Sequence, residues 1–220
     1  MSEMPLVPGP IYGVRTWGVA GAPGDERLIG PHRTTPWPSG GAMLEAECSA
    51  APPHAPPGTT CGCGLHAWHP SRAAARRVCG VRSEVPGILE ASGSVEVHAD
   101  GFRAERGRPH ALVLLPNGNP RRLERLAEAY DLELLRLDGP DALLAHCRDR
   151  GLGLAEGVVA ELVGTENLAA GRRERRRRGL LTAVCAAVAA LVLAGIAVVV
   201  DPGVEHGKVL NGRTGEIRVP

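Results

Sequence analysis

Residues 179–200 (GLLTAVCAAVAALVLAGIAVVV) carry no charge and no proline, and they follow directly on the run RRERRRR at 172–178. An uncharged run of this length, rising about 1.5 Å per residue as a helix, reaches across a hydrocarbon core of about 30 Å. A single membrane-spanning helix is therefore expected at 179–200. Six arginines precede the run and only Lys208, Arg213 and Arg218 follow it. Arginine is retained on the cytoplasmic side during insertion, so the N-terminus is expected to be cytoplasmic, with 201–220 a short extracytoplasmic tail. The N-terminal sequence MSEMPLVPGPIYG has neither the basic region nor the apolar stretch of a signal peptide.

The chain then divides into a disordered N-terminus (1–13), a cytoplasmic α+β domain (14–163) with a zinc-binding loop at 46–64, a basic juxtamembrane linker (164–178), the span and the tail. About 150 residues suffice for one core. Of 25 Lys and Arg, three lie in the tail and six in the arginine run, leaving 16 in residues 1–171 against 20 of the 24 acidic residues. A body near −4 lacks the basic surface that nucleic acid requires, so the expected partners are the lipid bilayer and a protein at the inner membrane face, with no nucleic acid. The arginine run is explained by topology and lipid headgroups.

Within the body, 14–19 (VRTWGV) alternates as a strand, with Arg15, Trp17 and Val19 on one face. The turn AGAPGDE at 20–26 leads to a hairpin partner at 27–30. Residues 31–41 read as loop, with Trp37 capping the core. Residues 42–49 (AMLEAECS) read as helix-like, and a short helix follows through 72–77. Strands at 85–98 and 102–105 form a small antiparallel sheet, with Glu96, Arg103 and Glu105 as charge pairs on its exposed face. From 111 the order becomes strand (ALVLL), helix, strand (LELLRL), helix, a short β-α-β-α unit with two parallel strands. Asn119 is the expected N-cap and Pro120 the first helical residue, with Leu123, Leu126, Ala127 and Tyr130 on one face. The second helix carries Leu143, Leu144 and Cys147, and 154–163 forms a last element.

Four of the six cysteines (Cys48, Cys61, Cys63, Cys79) lie near His54, His66 and His69, whereas Cys185 falls in the apolar run and Cys147 on an apolar helix face. A cytoplasmic setting disfavours structural disulfides, so clustered thiols point to metal. The best set is Cys48, His54, Cys61 and Cys63, a C-x5-H-x6-C-x-C arrangement whose three thiolates and one imidazole close a tetrahedral zinc shell. A closed shell is structural. The connection holding it contains Pro52, Pro53, Pro56 and Pro57 and has few backbone donors, so a metal supplies what a helix or sheet cannot. Gly62 and Gly64 are expected to let the backbone approach the ion. His66, His69 and Cys79 are the candidate substitute ligands.

The stretches at 46–48, 54–57, 61–67 (CGCGLHA) and 87–109 (GILEASGSVEVHADGFRAERGRP) together resemble an uncharacterised bacterial family. Its motif is C-x-C-G-aliphatic-Tyr-Ala, followed by a strand pair ending in Gly-aromatic-Arg-Ala-Glu. The resemblance covers about residues 14–150 and implies one domain with these cysteines near its centre, without an assigned activity. Two departures stand out: His66 replaces the tyrosine, and Ala91-Ser92-Gly93 stands where that family has a tryptophan beside the glycine.

No G-x-x-x-x-G-K-[ST], strand-helix G-x-G-x-x-G or G-x-S-x-G motif occurs. His98 and His110 bracket the Phe102 hairpin and face solvent rather than forming a site. The expectation is a membrane-tethered, zinc-structured binding or regulatory module without catalytic activity. The alternative is a membrane-anchored thiol-redox or metal-sensing protein, in which His66 and Arg72 lower the pKa of adjacent cysteines. A zinc-dependent hydrolase would need three protein ligands plus water.

Overall fold

A computed structural model describes residues 9–31, 35–58 and 60–164. The linker beyond 164, the apolar run at 179–200 and the tail at 201–220 lie outside the described residues, and among the described residues no helix is long and apolar enough to cross a membrane. The body is a mixed α+β fold with one seven-stranded sheet and four helices among the described residues.

The first strand, β1 (Ile11–Ala20), begins ahead of the boundary expected at 14, because Ile11 is itself a core residue. It pairs antiparallel with β2 (Arg27–Ile29) through the expected hairpin, and with β5 (Val85–Val97) from Ile11↔Ala91 to Trp17↔Val85. The centre of the sheet is β6 (Gly101–Leu114), which pairs with β5 on one side. On its other side it pairs with β4 (Leu65–Trp68) and then, further along, with β3 (Leu44–Glu45). A single bridge between Val14 and Trp68 brings β4 back to β1, so the pairings β1, β5, β6 and β4 close a ring.

Two expectations are corrected. Residues 42–49 are not helical: Leu44 and Glu45 form β3 against Gly107 and Arg106, and the Ala46 N–H donates to the Glu105 carbonyl at 2.7 Å. The helix-forming Ala, Leu and Glu of this stretch yield to a free strand edge, a tertiary override of weak local propensity. Residues 102–105 and 111–115 are not separate strands either, since β6 runs through Pro109. The register shifts there, from Ile88↔Ala111 to Leu89↔Pro109, and a proline within a sheet is tolerated at such a bulge.

Both faces of the sheet are covered, which is why 111–114 is apolar throughout. Leu112 and Leu114 join Trp17, Leu28 and Trp37 beneath α2 (Pro120–Tyr130), while Ala111 and Val113 pack with Val14 against α1 (Arg72–Gly80) and α3 (Pro140–Asp149). The α2 helix starts as expected, with Asn119 accepting from the Arg122 N–H at 3.1 Å and Pro120 in its first turn. Its buried residues are Leu123, Leu126, Ala127 and Tyr130. It connects β6 to the parallel strand β7 (Glu133–Arg136), forming the expected strand-helix-strand unit. Leu143 and Cys147 are buried on α3, so Cys147 is a packing residue, and α4 (Glu156–Val163) closes the described chain. Ser71 caps α1, accepting from the Ala74 N–H at 3.2 Å.

The Trp37 loop is locked by Tyr130. Its hydroxyl accepts from the Leu28 N–H (2.9 Å) and donates to the Trp37 carbonyl (3.0 Å), and the Trp37 N–H donates back to the Leu28 carbonyl (2.8 Å). Trp37 thus caps the core, with its ring edge-on to Trp17 at 5.8 Å between centroids.

Candidate metal centre

The long proline-rich loop joins β3 to β4, two short strands that lie one after the other along the same edge of β6. Cys48 therefore leaves one strand end, and Cys61 and Cys63 enter the other. The loop has to turn back between them without secondary structure of its own. His54 sits at its middle, between cis peptide bonds at Ala51-Pro52 and Pro56-Pro57.

The four expected ligands come together: one ligand atom from each of Cys48, His54, Cys61 and Cys63 lies within 4.8 Å of the others, close enough to hold a metal ion. The Cys48 and Cys61 sulfurs are 3.8 Å apart, His54 Nδ1 is 3.7 Å from Cys48 Sγ, and His54 Nε2 is 3.2 Å from Cys63 Sγ. The three thiols are half-buried. Backbone donors aim at two of them, Ala50 N–H at Cys48 (3.4 Å) and Gly58 N–H at Cys63 (3.3 Å). The Ala50 donor holds the Cys48 thiol below its ordinary pKa, while burial, reinforced by the adjoining thiols, pushes Cys63 up. Three sulfurs this close cannot all ionise unless a cation shares their charge.

Two glycines are tied to this geometry and one is not. A Cβ on Gly58 would fall on the His54 ring nitrogen, far inside contact distance. Gly64 has φ of +120°, and a Cβ there would press on the Arg103 and Pro57 side chains at 3.1 and 3.3 Å. The role expected for Gly62 is corrected: a Cβ there meets nothing within 4 Å, and its backbone is not left-handed.

The feature that the strand pattern concealed is Arg103. It was expected on an exposed face, yet it is only 7 % exposed, because the metal loop lies over that part of β6. Its guanidinium donates to the carbonyls of Cys61, Cys63 (3.1 Å) and Gly58 (3.2 Å), pairs with Glu96, and donates from Nε to His98 Nε2 at 3.3 Å. Loop and sheet are thereby joined through one planar cation with several donors, a task that suits arginine. Glu105, expected as its neighbour in charge pairing, instead accepts from the Ser94 N–H at 2.8 Å beside the bulge at Gly93.

The substitute ligands are accounted for elsewhere. His66 Nε2 donates to the Gly62 carbonyl (3.0 Å), and His69 Nε2 donates to the His98 carbonyl (3.0 Å). Burial lowers the pKa of both imidazoles. Cys79 packs at the edge of the α1–α3 core, where burial raises its thiol pKa. Arg72 pairs with Asp141 at 3.5 Å rather than with a thiol. His98 and His110 do not share a cleft: His110 lies edge-on to Tyr12 and 3.7 Å from Glu90.

Beside the metal loop opens a cavity of about 900 Å³, bordered by Cys63, Gly64 and His66 on one side and by Arg15 and Trp37 on the other. Comparison with known proteins returns no matching family model, curated protein or solved structure.

Proposed function

We propose that this protein is a zinc-structured binding module without catalytic activity, held at the inner face of a membrane by residues 179–200. The observation that carries the metal assignment is that ligand atoms of Cys48, His54, Cys61 and Cys63 all lie within 4.8 Å of one another, and the choice of zinc rests on the donor set. A tetrahedral zinc with bonds of about 2.3 Å to sulfur and about 2.0 Å to nitrogen separates its ligands by about 3.5–3.8 Å. Cys48 and Cys61 stand 3.8 Å apart and His54 Nδ1 stands 3.7 Å from Cys48, while Cys63 lies nearer, 3.2 Å from the opposite ring nitrogen Nε2. Three thiolates with one imidazole favour zinc among the common divalent ions, and four protein ligands leave no position for a reacting water.

Structural duty fits what surrounds the quartet. The loop has no helix or strand of its own, and two N–H···S bonds together with Arg103 orient the ligands and their carbonyls. Such outer contacts tune and hold a metal site. The membrane part of the proposal rests on the uncharged run and its arginine flank. Tethering raises the effective concentration of a small domain toward neighbours in the same membrane, which serves binding without turnover.

The competing thiol-redox reading draws on the 3.8 Å between the Cys48 and Cys61 sulfurs. The test is elemental analysis of the full chain purified in detergent, followed by alkylation. The proposal expects one zinc per chain, thiols that resist alkylation until a chelator is added, and loss of the zinc in Cys61→Ser. Metal-free protein whose thiols alkylate at once, or which interconverts reversibly with a Cys48–Cys61 disulfide, supports the redox reading instead.

A further inference from the structure

Arg15 is the one arginine among the described residues that is buried without an ion pair. It is 9 % exposed and borders the cavity beside the metal loop, and no carboxylate of the described residues lies within ion-pair distance. Its recorded hydrogen bond is a long one, from Nε to the Thr16 carbonyl at 3.4 Å, and its Nη1 is fully buried with no partner. The guanidinium lies 5.2 Å from the Trp17 ring centre and 4.8 Å from that of Trp37. These cation–π contacts satisfy none of its N–H groups. Burial lowers its pKa to about 10, with Glu84 acting against this from a distance, so the group remains charged at neutral pH. An unpaired buried guanidinium is costly, and a protein that keeps one holds a ready counter-charge site for a ligand.

The cavity has the volume of a small-molecule site, about 900 Å³, and carries an apolar wall of Trp37, Leu44, Leu65 and Phe102. Its other arginine, Arg103, is already engaged with Glu96 and three carbonyls. Among the described residues Arg15 is therefore the one arginine lining the space without an ion pair, while Glu45, Glu47 and Asp100 also border it. Three carboxylates around one such guanidinium oppose a dianion, so an anion fits only where its single charge lies directly on Arg15 and an apolar body faces the rest.

We propose that this cavity binds a small organic monocarboxylate, its carboxylate paired with the Arg15 guanidinium and its apolar body against Trp37, Leu65 and Phe102. The two-oxygen geometry of a carboxylate matches the guanidinium fork. The zinc-structured loop forms one wall of the cavity, but the pairing at Arg15 is a separate claim and does not require that zinc be the metal.

The test titrates the full chain in detergent with phenylacetate, benzoate and octanoate, with the uncharged amide of each, and with inorganic phosphate. Calorimetry measures affinity and tryptophan fluorescence reports from Trp17, Trp37 and Trp68 together. At least one carboxylate is expected to bind, its amide far more weakly, and Arg15→Met to weaken the carboxylate about a hundredfold. Without ligand, Arg15→Met should unfold no earlier than the wild type, since an unpaired buried charge has been removed. Arg15→Lys keeps the charge without the fork and should also bind more weakly, which serves as the readout if the methionine variant does not fold. The proposal is overturned if no carboxylate binds, if amide and carboxylate bind alike, if phosphate binds more tightly than every carboxylate, or if affinity survives both substitutions. Metal content measured on the same samples separates the two claims: absent carboxylate binding with the metal retained counts against this cavity alone.

Discussion

Arg103, near the start of β6, donates to the main-chain carbonyl of Cys63 at 3.1 Å, so a candidate metal-ligand residue is positioned by a side chain from a strand far away in sequence. The same guanidinium reaches the Cys61 and Gly58 carbonyls and Glu96. Replacing it with methionine leaves those carbonyls and a half-buried carboxylate without their donor. Arg103→Met is expected to weaken metal binding about 10–100-fold, measured by competition with a chelator. Arg103→Lys should recover little, because an ammonium cannot address several acceptors in one plane.

Gly58 and Gly62 make a matched pair of substitutions. Alanine at 58 would collide with the His54 ring, whereas alanine at 62 meets open space. Gly58→Ala should therefore displace the imidazole, lowering metal affinity and thermal stability together. Gly62→Ala should leave both within about 0.5 kcal/mol of wild type, as for an ordinary surface change. Equal behaviour of the two variants in a chelator titration would contradict the ligand role of His54.

Tyr130→Phe removes the acceptor of the buried Leu28 N–H and the donor to the Trp37 carbonyl. An unsatisfied buried amide costs about 1–3 kcal/mol. The expected result is a destabilisation of that size in urea unfolding with an unchanged slope. Metal content should stay the same, since the hydroxyl of Tyr130, the last residue of α2, bonds to Leu28 and Trp37 and to none of the four candidate ligands.

Glu26 is paired with Arg125 at 2.5 Å and accepts from the Gly24 N–H at 2.8 Å. Arg125, then the Gly24 donor, hold its carboxyl at about 2, below the ordinary value of 4.5. A depressed folded-state pKa gives stability that is fully present above the unfolded value and is lost as the proton binds. The margin of wild type over Glu26→Gln should thus be constant above pH 4.5 and shrink as pH falls from there toward 2, measured on both proteins at matched pH.

What could be read from the chain beforehand depended on local chemistry. The quartet Cys48, His54, Cys61 and Cys63 announced itself because thiols and an imidazole in a proline-laden loop have few other uses, and the caps and apolar face of α2 follow from Asn119, Pro120 and the 3.6-residue period. Arg15 and Arg103 gave no such sign. Both sit on alternating strands, and alternation separates two faces without telling which will be roofed over by a distant loop. For Arg103 the roof is the metal loop itself. The segment at 42–49 misled for a related reason: its helix propensity is intrinsic, whereas the free edge of β6 that captures Leu44 and Glu45 exists only in the folded sheet. Residues 102–105 and 111–115 read as two strands, and the bulge that carries β6 past Pro109 is likewise a property of its pairing with β5.

The most direct measurement is zinc-edge X-ray absorption on the full chain. Fitting the first shell should give three sulfurs at about 2.3 Å and one nitrogen at about 2.0 Å, with one sulfur lost in Cys61→Ser if any metal is retained. A shell containing a water oxygen, or fewer than three sulfurs in the wild type, would contradict a closed structural centre built from Cys48, His54, Cys61 and Cys63.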